Sequence, residues 1–400
     1  MTKLAIHGGP PARSTPIYYG RQHIDEDDCT AVREVLLGDL ITTGPRIAEL
    51  EKQFCAYTGA KYAVFLANGT AALHAACHAA GITHGDEVIT SAITFAASAN
   101  CALYCGATPV FADIDEHTLC ISPDSIRRSI TSRTKAVVAV DFTGQAAQLD
   151  EIREICTAHK LMLIEDAAHS LGTSFQGNMV GSIADLTTFS FHPVKTVTGG
   201  EGGAVTTNDE GLYRKLMLFR THGITRDPAE FAMQDPAPWY YDQVDLGYNY
   251  RLTDFQAALI TSQMKKLPGF IARRREIVQR YNEAFCGVPE PILQKDTPGS
   301  HSVKHLYILQ FRMEMLNTTQ RELFDALRAE NVVCNVHYIP VYWLSYYQAM
   351  GHKKGACPNA EQYYARALSI PLYPAMTDED VNSVIEAVKK VVAYYRVAAE

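Results

Sequence analysis

Apolar residues in the first half of this chain fall into short blocks separated by turn residues. KYAVFLA (61–67) has strand length, and TAALHAACHAAG (70–81) reads as a helix built on small residues. EVITSAI (87–93) predicts a strand and FAASANCALYCG (95–106) a helix. TPVFADI (108–114) and TKAVVAVDF (134–142) predict strands. LDEIREICTAHK (149–160) predicts a helix, and LMLIED (161–166) and ADLTTFSF (184–191) further strands. Alternating helices and β-branched apolar strands predict an α/β fold, with a mainly parallel central sheet sandwiched by helices.

Upstream, the acids of Asp25-Glu26-Asp27-Asp28 precede AVREVLLG, as at a helix start. After the Gly44-Pro45 break, IAELEKQFCAYTG predicts a helix ending at Gly59. Residues 1–16 read as a flexible N-terminal arm. The irregular stretch 225–241, with Pro228, Pro236 and Pro238, is too long for a simple connector and suits a partner contact or a cover over a site. TDFQAALITSQMKKL predicts a helix ending near Pro268, and FIARRREIVQRYNEAF a separate amphipathic one. The boundary is placed there: a large α/β domain over 17–266 and a smaller C-terminal α+β domain over 267–400. The latter mixes the strands HLYILQF and VVCNVHYI with helices.

Composition narrows the function. The formal charge is 36 − 44 = −8, unfavourable for broad binding to nucleic acid or an anionic membrane. No apolar run approaches the length of a transmembrane helix, and the start has no signal-peptide apolar core, so a cytoplasmic protein is expected. The ten cysteines are scattered without zinc spacing, which predicts free thiols and no metal.

Neither GxGxxG after the first strand nor GxxxxGK[ST] is present, which removes the main support for dinucleotide and P-loop readings. Three other features remain. Asn68-Gly69-Thr70 joins a strand to a helix, where free N–H groups attract a phosphate. Asp166 closes a predicted parallel strand, at the edge where open α/β sheets bind ligands. Lys195 lies between an apolar strand and the glycine-rich run Gly199-Gly200-Glu201-Gly202-Gly203, and a desolvated lysine there can condense with a carbonyl. Alone, each is as readily a turn, a helix cap or a surface lysine. In this order they suit pyridoxal 5′-phosphate (PLP), which needs an N–H cradle, a carboxylate at its pyridine nitrogen and a lysine at its aldehyde.

The chain also carries YGRQHIDEDD, LITTGP, NGTAAL, ITFAASAN, IEDAAHSLG, SFHPVKTVTGGEGGAV, LGYNYRLTDFQAAL, VHYIP and SIPLYP. In that order they resemble the StrS-like (DegT-type) nucleotide-sugar aminotransferases, a family of fold-type I PLP-dependent transferases. The resemblance implies that Lys195 holds PLP, Asp166 pairs with the pyridinium, Phe95 stacks on the ring and His169 bonds the phenolic oxygen. Gly69, Thr70 and Ser190 would bind the phosphate. Asn249 would reach the cofactor of a neighbouring subunit, making a homodimer with shared sites. Tyr19, Thr42, His337 and Tyr338 match segments that border the sugar-nucleotide site. Dehydratase relatives replace the lysine with histidine, so Lys195 favours transamination.

The implied reaction is ping-pong, with L-glutamate as amino donor and Lys195 as general base and acid. YGRQHIDEDD, SFHPVK and VHYIP most resemble the C4 aminotransferases of pseudaminic acid synthesis. These make UDP-4-amino-4,6-dideoxy-N-acetyl-β-L-altrosamine from a UDP-linked 4-keto-6-deoxy sugar. Relatives acting on UDP-4-keto-pentose, GDP-4-keto-6-deoxymannose or dTDP-keto sugars share nearly all the cofactor motifs.

Overall fold

A computed structural model describes residues 3–397. Its centre is a seven-stranded sheet: β1 (Tyr62–Leu66), β2 (Glu87–Ser91), β3 (Thr108–Ala112), β4 (Thr134–Val140), β5 (Met162–Asp166), β6 (Leu186–Ser190) and β7 (Gly203–Thr207). The spatial order is β1-β7-β6-β5-β4-β2-β3. Every pairing is parallel except those of β7, which runs antiparallel to both β1 and β6. Apart from the edge strand β3, the strands are largely buried on both faces, which explains why most of their sequences are apolar runs rather than alternating ones. Parallel strands bring the ends of β1, β4, β5 and β6 to one edge, which therefore gathers Asn68, Asp166 and the segment leading to Lys195.

Helix α1 (Gly69–Ala79) follows β1, and α2 (Ala97–Tyr104) follows β2. The long α3 (Asp254–Phe285) corrects the sequence expectation of two helices parted at Pro268. Pro268 removes one N–H donor from the ladder. Burial on both sides of it holds the axis: Met264, Leu267 and Ile271 pack in the core under the large sheet, and Ile277, Tyr281 and Phe285 in the C-terminal core. The expected boundary at 266/267 thus falls inside a continuous helix, and the change of core comes between Ile271 and Ile277.

The C-terminal part builds an antiparallel sheet from Pro291–Leu293, Tyr307–Phe311 and Ala367–Ile370. Helix α4 (Asp378–Tyr395) packs there, its start capped by Thr377 and Asp380. Residues 3–16, expected as a loose arm, dock on this core, and Leu4 is fully buried in it. The irregular 225–241 stretch is closed at its base, where Ile224–Thr225 pairs with Asp242–Gln243, and it presents Trp239 to solvent.

Candidate active site

Asn68 begins the site. Its side chain accepts the Ala71 N–H at 2.8 Å and caps α1, leaving the first-turn N–H groups of Gly69 and Thr70 beside the cavity. Two glycines make the crossing beneath it feasible. A Cβ on Gly203 would stand 2.2 Å from the Asn68 carbonyl oxygen, and one on Gly69 would stand 2.9 Å from Ser190 Cβ. Ser190 therefore closes on the helix start, forming a small polar cradle.

Asp166 ends β5 and is buried. Ser98 Oγ donates to its Oδ2 at 2.6 Å, and the Ala168 N–H donates to Oδ1 at 3.1 Å. Burial raises its pKa; these donors and the Lys195 charge oppose that rise. Lys195 follows β6 in a turn closed by its N–H on the His192 carbonyl at 2.9 Å. Burial pulls its ammonium pKa down to about 8, and Asp166 acts in the opposite direction. At pH 7 about a tenth of Lys195 is then neutral and nucleophilic, far more than an ordinary lysine would offer.

His169 is buried, and burial, then the Lys195 charge, hold its pKa well below the usual histidine range. Its Nε2 lies 3.4 Å from Tyr338 Oη, and its Nδ1 has no protein partner. Phe95 presents an open ring, 62% exposed, 6.2 Å from the Tyr338 ring. His337 faces Tyr19 at 5.0 Å and shares a hydrogen bond with Ser369 at 2.7 Å.

These side chains line one cavity of about 960 Å³. It collects Lys195, Asp166, His169, Phe95, Gly69, Thr70, Ser190, Tyr19, His337 and Tyr338. It does not collect Thr42 or Asn249. Both are exposed elsewhere on the chain, where Thr42 bridges Thr253 and Asn249 bridges Thr221. Thr42 does not line the cavity of its own chain, because its segment packs beside the start of α3. Asn249 was expected to serve a neighbour, and one chain keeps it away from its own cavity.

Sequence reading missed Ser98 and His305. Ser98 had a usable signal: it lies three residues after Phe95, one turn on, within ITFAASAN. His305 lines the cavity with its ring 4.5 Å from that of His169, yet it only opened a predicted strand and carried no chemical pattern.

The sequence profile of the DegT/DnrJ/EryC1/StrS aminotransferase family matches residues 22–389. The chain belongs to this family. The spore coat polysaccharide biosynthesis protein SpsC of Bacillus subtilis is 43% identical over 379 residues, spanning 94% of this chain and 96% of that protein. PseC of Helicobacter pylori, an aminotransferase involved in the biosynthesis of pseudoaminic acid, superposes with a TM-score of 0.89 at 30% identity, over 95% of this chain and all of PseC (100%). The PLP form of Spr1654 from Streptococcus pneumoniae superposes at 0.87 with 30% identity, over 95% of this chain and 99% of that one. DegT-family membership makes this chain a PLP-dependent sugar aminotransferase. The site fits that cofactor on its own terms: a glycine cradle at a helix start, a buried carboxylate, a lysine of lowered pKa and a buried imidazole nitrogen without a protein partner. No helix among the described residues is long and apolar enough to cross a membrane.

Proposed function

We propose that this aminotransferase moves the amino group of L-glutamate to C4 of a UDP-linked 4-keto-6-deoxy-N-acetylhexosamine, giving UDP-4-amino-4,6-dideoxy-N-acetyl-β-L-altrosamine. The observation that carries the transfer chemistry is the meeting of Lys195 and Asp166 in one cavity, with burial lowering the pKa of the lysine. The sugar assignment draws support from the likeness to PseC over nearly the whole chain.

Bound PLP supplies an aldehyde for the amino group and a ring that takes up an electron pair. The residues of the chain divide the remaining work. With PLP bound, Lys195 Nζ would hold its aldehyde and, when free, would act as the base that takes the proton from the substrate α-carbon. Asp166, held by Ser98, would pair its carboxylate with the pyridine nitrogen. The Gly69 and Thr70 N–H groups and the Ser190 hydroxyl take the phosphate. Phe95 supplies a flat apolar face, and His169, kept neutral by burial, bonds the phenolic oxygen. Tyr19, His337 and Tyr338 form the facing wall, toward the sugar nucleotide. Asn249 reaches the phosphate in a second copy of the chain, so that a homodimer is the working unit; Thr42, exposed on its own protomer, borders that copy's sugar site.

The 43% identity to SpsC favours a second reading, in which the acceptor is another nucleotide-linked keto sugar. A single-turnover assay separates the two. The protein is loaded with PLP and glutamate, excess glutamate is removed, and UDP-, GDP- and dTDP-linked 4-keto sugars are added singly. Recovery of the resting absorbance only with the UDP-linked 2-acetamido-4-keto-6-deoxy sugar of the L-arabino series supports the first reading. Recovery only with a different sugar overturns it and leaves an aminotransferase of other specificity.

A further inference from the structure

Glu330 has no exposed side-chain surface, yet its carboxylate is fully engaged. Oε1 accepts the Ala5 N–H at 2.9 Å. Oε2 accepts the Ala12 N–H at 2.8 Å and the Lys390 ammonium at 2.8 Å. Lys390 also donates to the Pro10 carbonyl at 2.7 Å. Two of the three donors on this buried charge therefore come from the backbone of one N-terminal segment. Releasing the segment would leave the carboxylate short of partners.

The clamp continues toward the cavity. The Asn331 side chain donates to the Arg13 carbonyl at 2.7 Å, and the Asn331 backbone carbonyl accepts the Ile17 N–H at 2.9 Å. Ile17–Tyr18 then pairs in parallel with Val332–Val333. Just beyond that pairing both strands enter the cavity, Tyr19 on one side and Asn335 and His337 on the other. The Leu372 N–H holds the Tyr19 carbonyl at 3.1 Å, and a Cβ on Gly20 would stand 3.5 Å from Val194 Cβ, beside Lys195.

We infer that Glu330 is a positioning residue for the sugar half-reaction: its buried carboxylate pins the segment from Leu4 to Tyr18 and thereby holds Tyr19 in the cavity wall opposite the cofactor residues. The inference rests on the assignment of Tyr19 to the sugar pocket. The residues assigned to PLP come mostly from the edge of the large sheet, whereas Tyr19 and His337 reach the same cavity from the pairing of Ile17–Tyr18 with Val332–Val333.

The test uses Glu330→Gln, Lys390→Met and Tyr19→Ala in the full-length holoenzyme. Glu330→Gln sets an amide N–H₂ against donors while keeping the shape. It is expected to speed amide hydrogen exchange in residues 4–18 by about tenfold or more and to raise KM for the keto sugar about tenfold, with kcat within about twofold. PLP affinity and the glutamate half-reaction stay unchanged. The double variant Glu330→Gln/Tyr19→Ala is no worse in KM than Tyr19→Ala alone. Unchanged exchange overturns the clamp. Faster exchange with an unchanged sugar KM, while Tyr19→Ala does raise it, overturns the positioning role and keeps the pocket assignment. A Tyr19→Ala enzyme with unchanged KM removes the pocket assignment, and the inference with it. Lys390→Met, which keeps the carboxylate and both backbone bonds, carries the same test with a smaller shift if Glu330→Gln does not fold.

Discussion

Ser98 Oγ lies 2.6 Å from Asp166 Oδ2, and both groups are buried. The hydroxyl is itself within 2.7 Å of Thr94 Oγ1, so a short relay from the end of β2 reaches the carboxylate at the end of β5. Ser98→Ala would leave Asp166 with the Ala168 N–H as its remaining hydrogen bond. A hydrogen bond to a charged group contributes about 1.5–3 kcal/mol. The expected result is a loss of PLP affinity of about 10-fold or more, with the fold retained. Cofactor titration of the apoprotein, checked by circular dichroism, measures it.

Gly69→Ala would place a methyl group 2.9 Å from Ser190 Cβ, closer than carbon atoms tolerate. Either the helix start or Ser190 must move, and the cradle opens. PLP affinity should fall about 10-fold or more, and stability by about 1–3 kcal/mol. A Gly69→Ala enzyme that binds PLP with unchanged affinity would remove this cradle from the account.

The lowered pKa of Lys195 predicts a pH dependence. The ammonium cannot attack an aldehyde, and the neutral amine can. With a pKa of about 8, the rate at which PLP condenses with the apoprotein should rise about tenfold per pH unit below 8 and level off above it. A lysine at its ordinary value of 10.5 would give a rate still climbing at pH 10. Stopped-flow absorbance between pH 6 and about 10 distinguishes the two profiles.

Asn249 lies outside the cavity of its own chain. If it serves a second copy, Lys195→Ala and Asn249→Ala homodimers should each be inactive or weak. Unfolding and refolding them as a mixture should restore about a quarter of wild-type activity, because half of the dimers are mixed and each holds one intact site. Mixtures that recover nothing would contradict shared sites.

The parallel core was legible because most of its strands are short, β-branched and largely apolar and are bounded by turn residues, so length and composition sufficed. The meeting of Asn68, Asp166 and Lys195 in one cavity was legible because local chemistry marks each: a helix start after Asn68, an acid ending LMLIED, a lysine before five residues rich in glycine. Continuity across Pro268 was not legible, because the proline signal is local and the burial of Leu267 and Ile271 that overrides it is tertiary. The docking of residues 3–16 was hidden for a similar reason. Glu330, which holds them, lies more than three hundred residues away and belongs to a helix end that looks solvated. β7 escaped because it opens on Gly203, whose lack of a side chain serves close approach to Asn68, and the glycine-rich run before it reads as a loop.

The central claim is that Lys195 bears the cofactor. Borohydride reduction of the PLP-loaded protein, followed by peptide mass spectrometry, tests it most directly, because reduction fixes the pyridoxyl group on whichever amine holds it. A single modified peptide carrying the label on Lys195 is expected, and no label after prior conversion with glutamate. A label on another lysine, or one that glutamate does not remove, would contradict it.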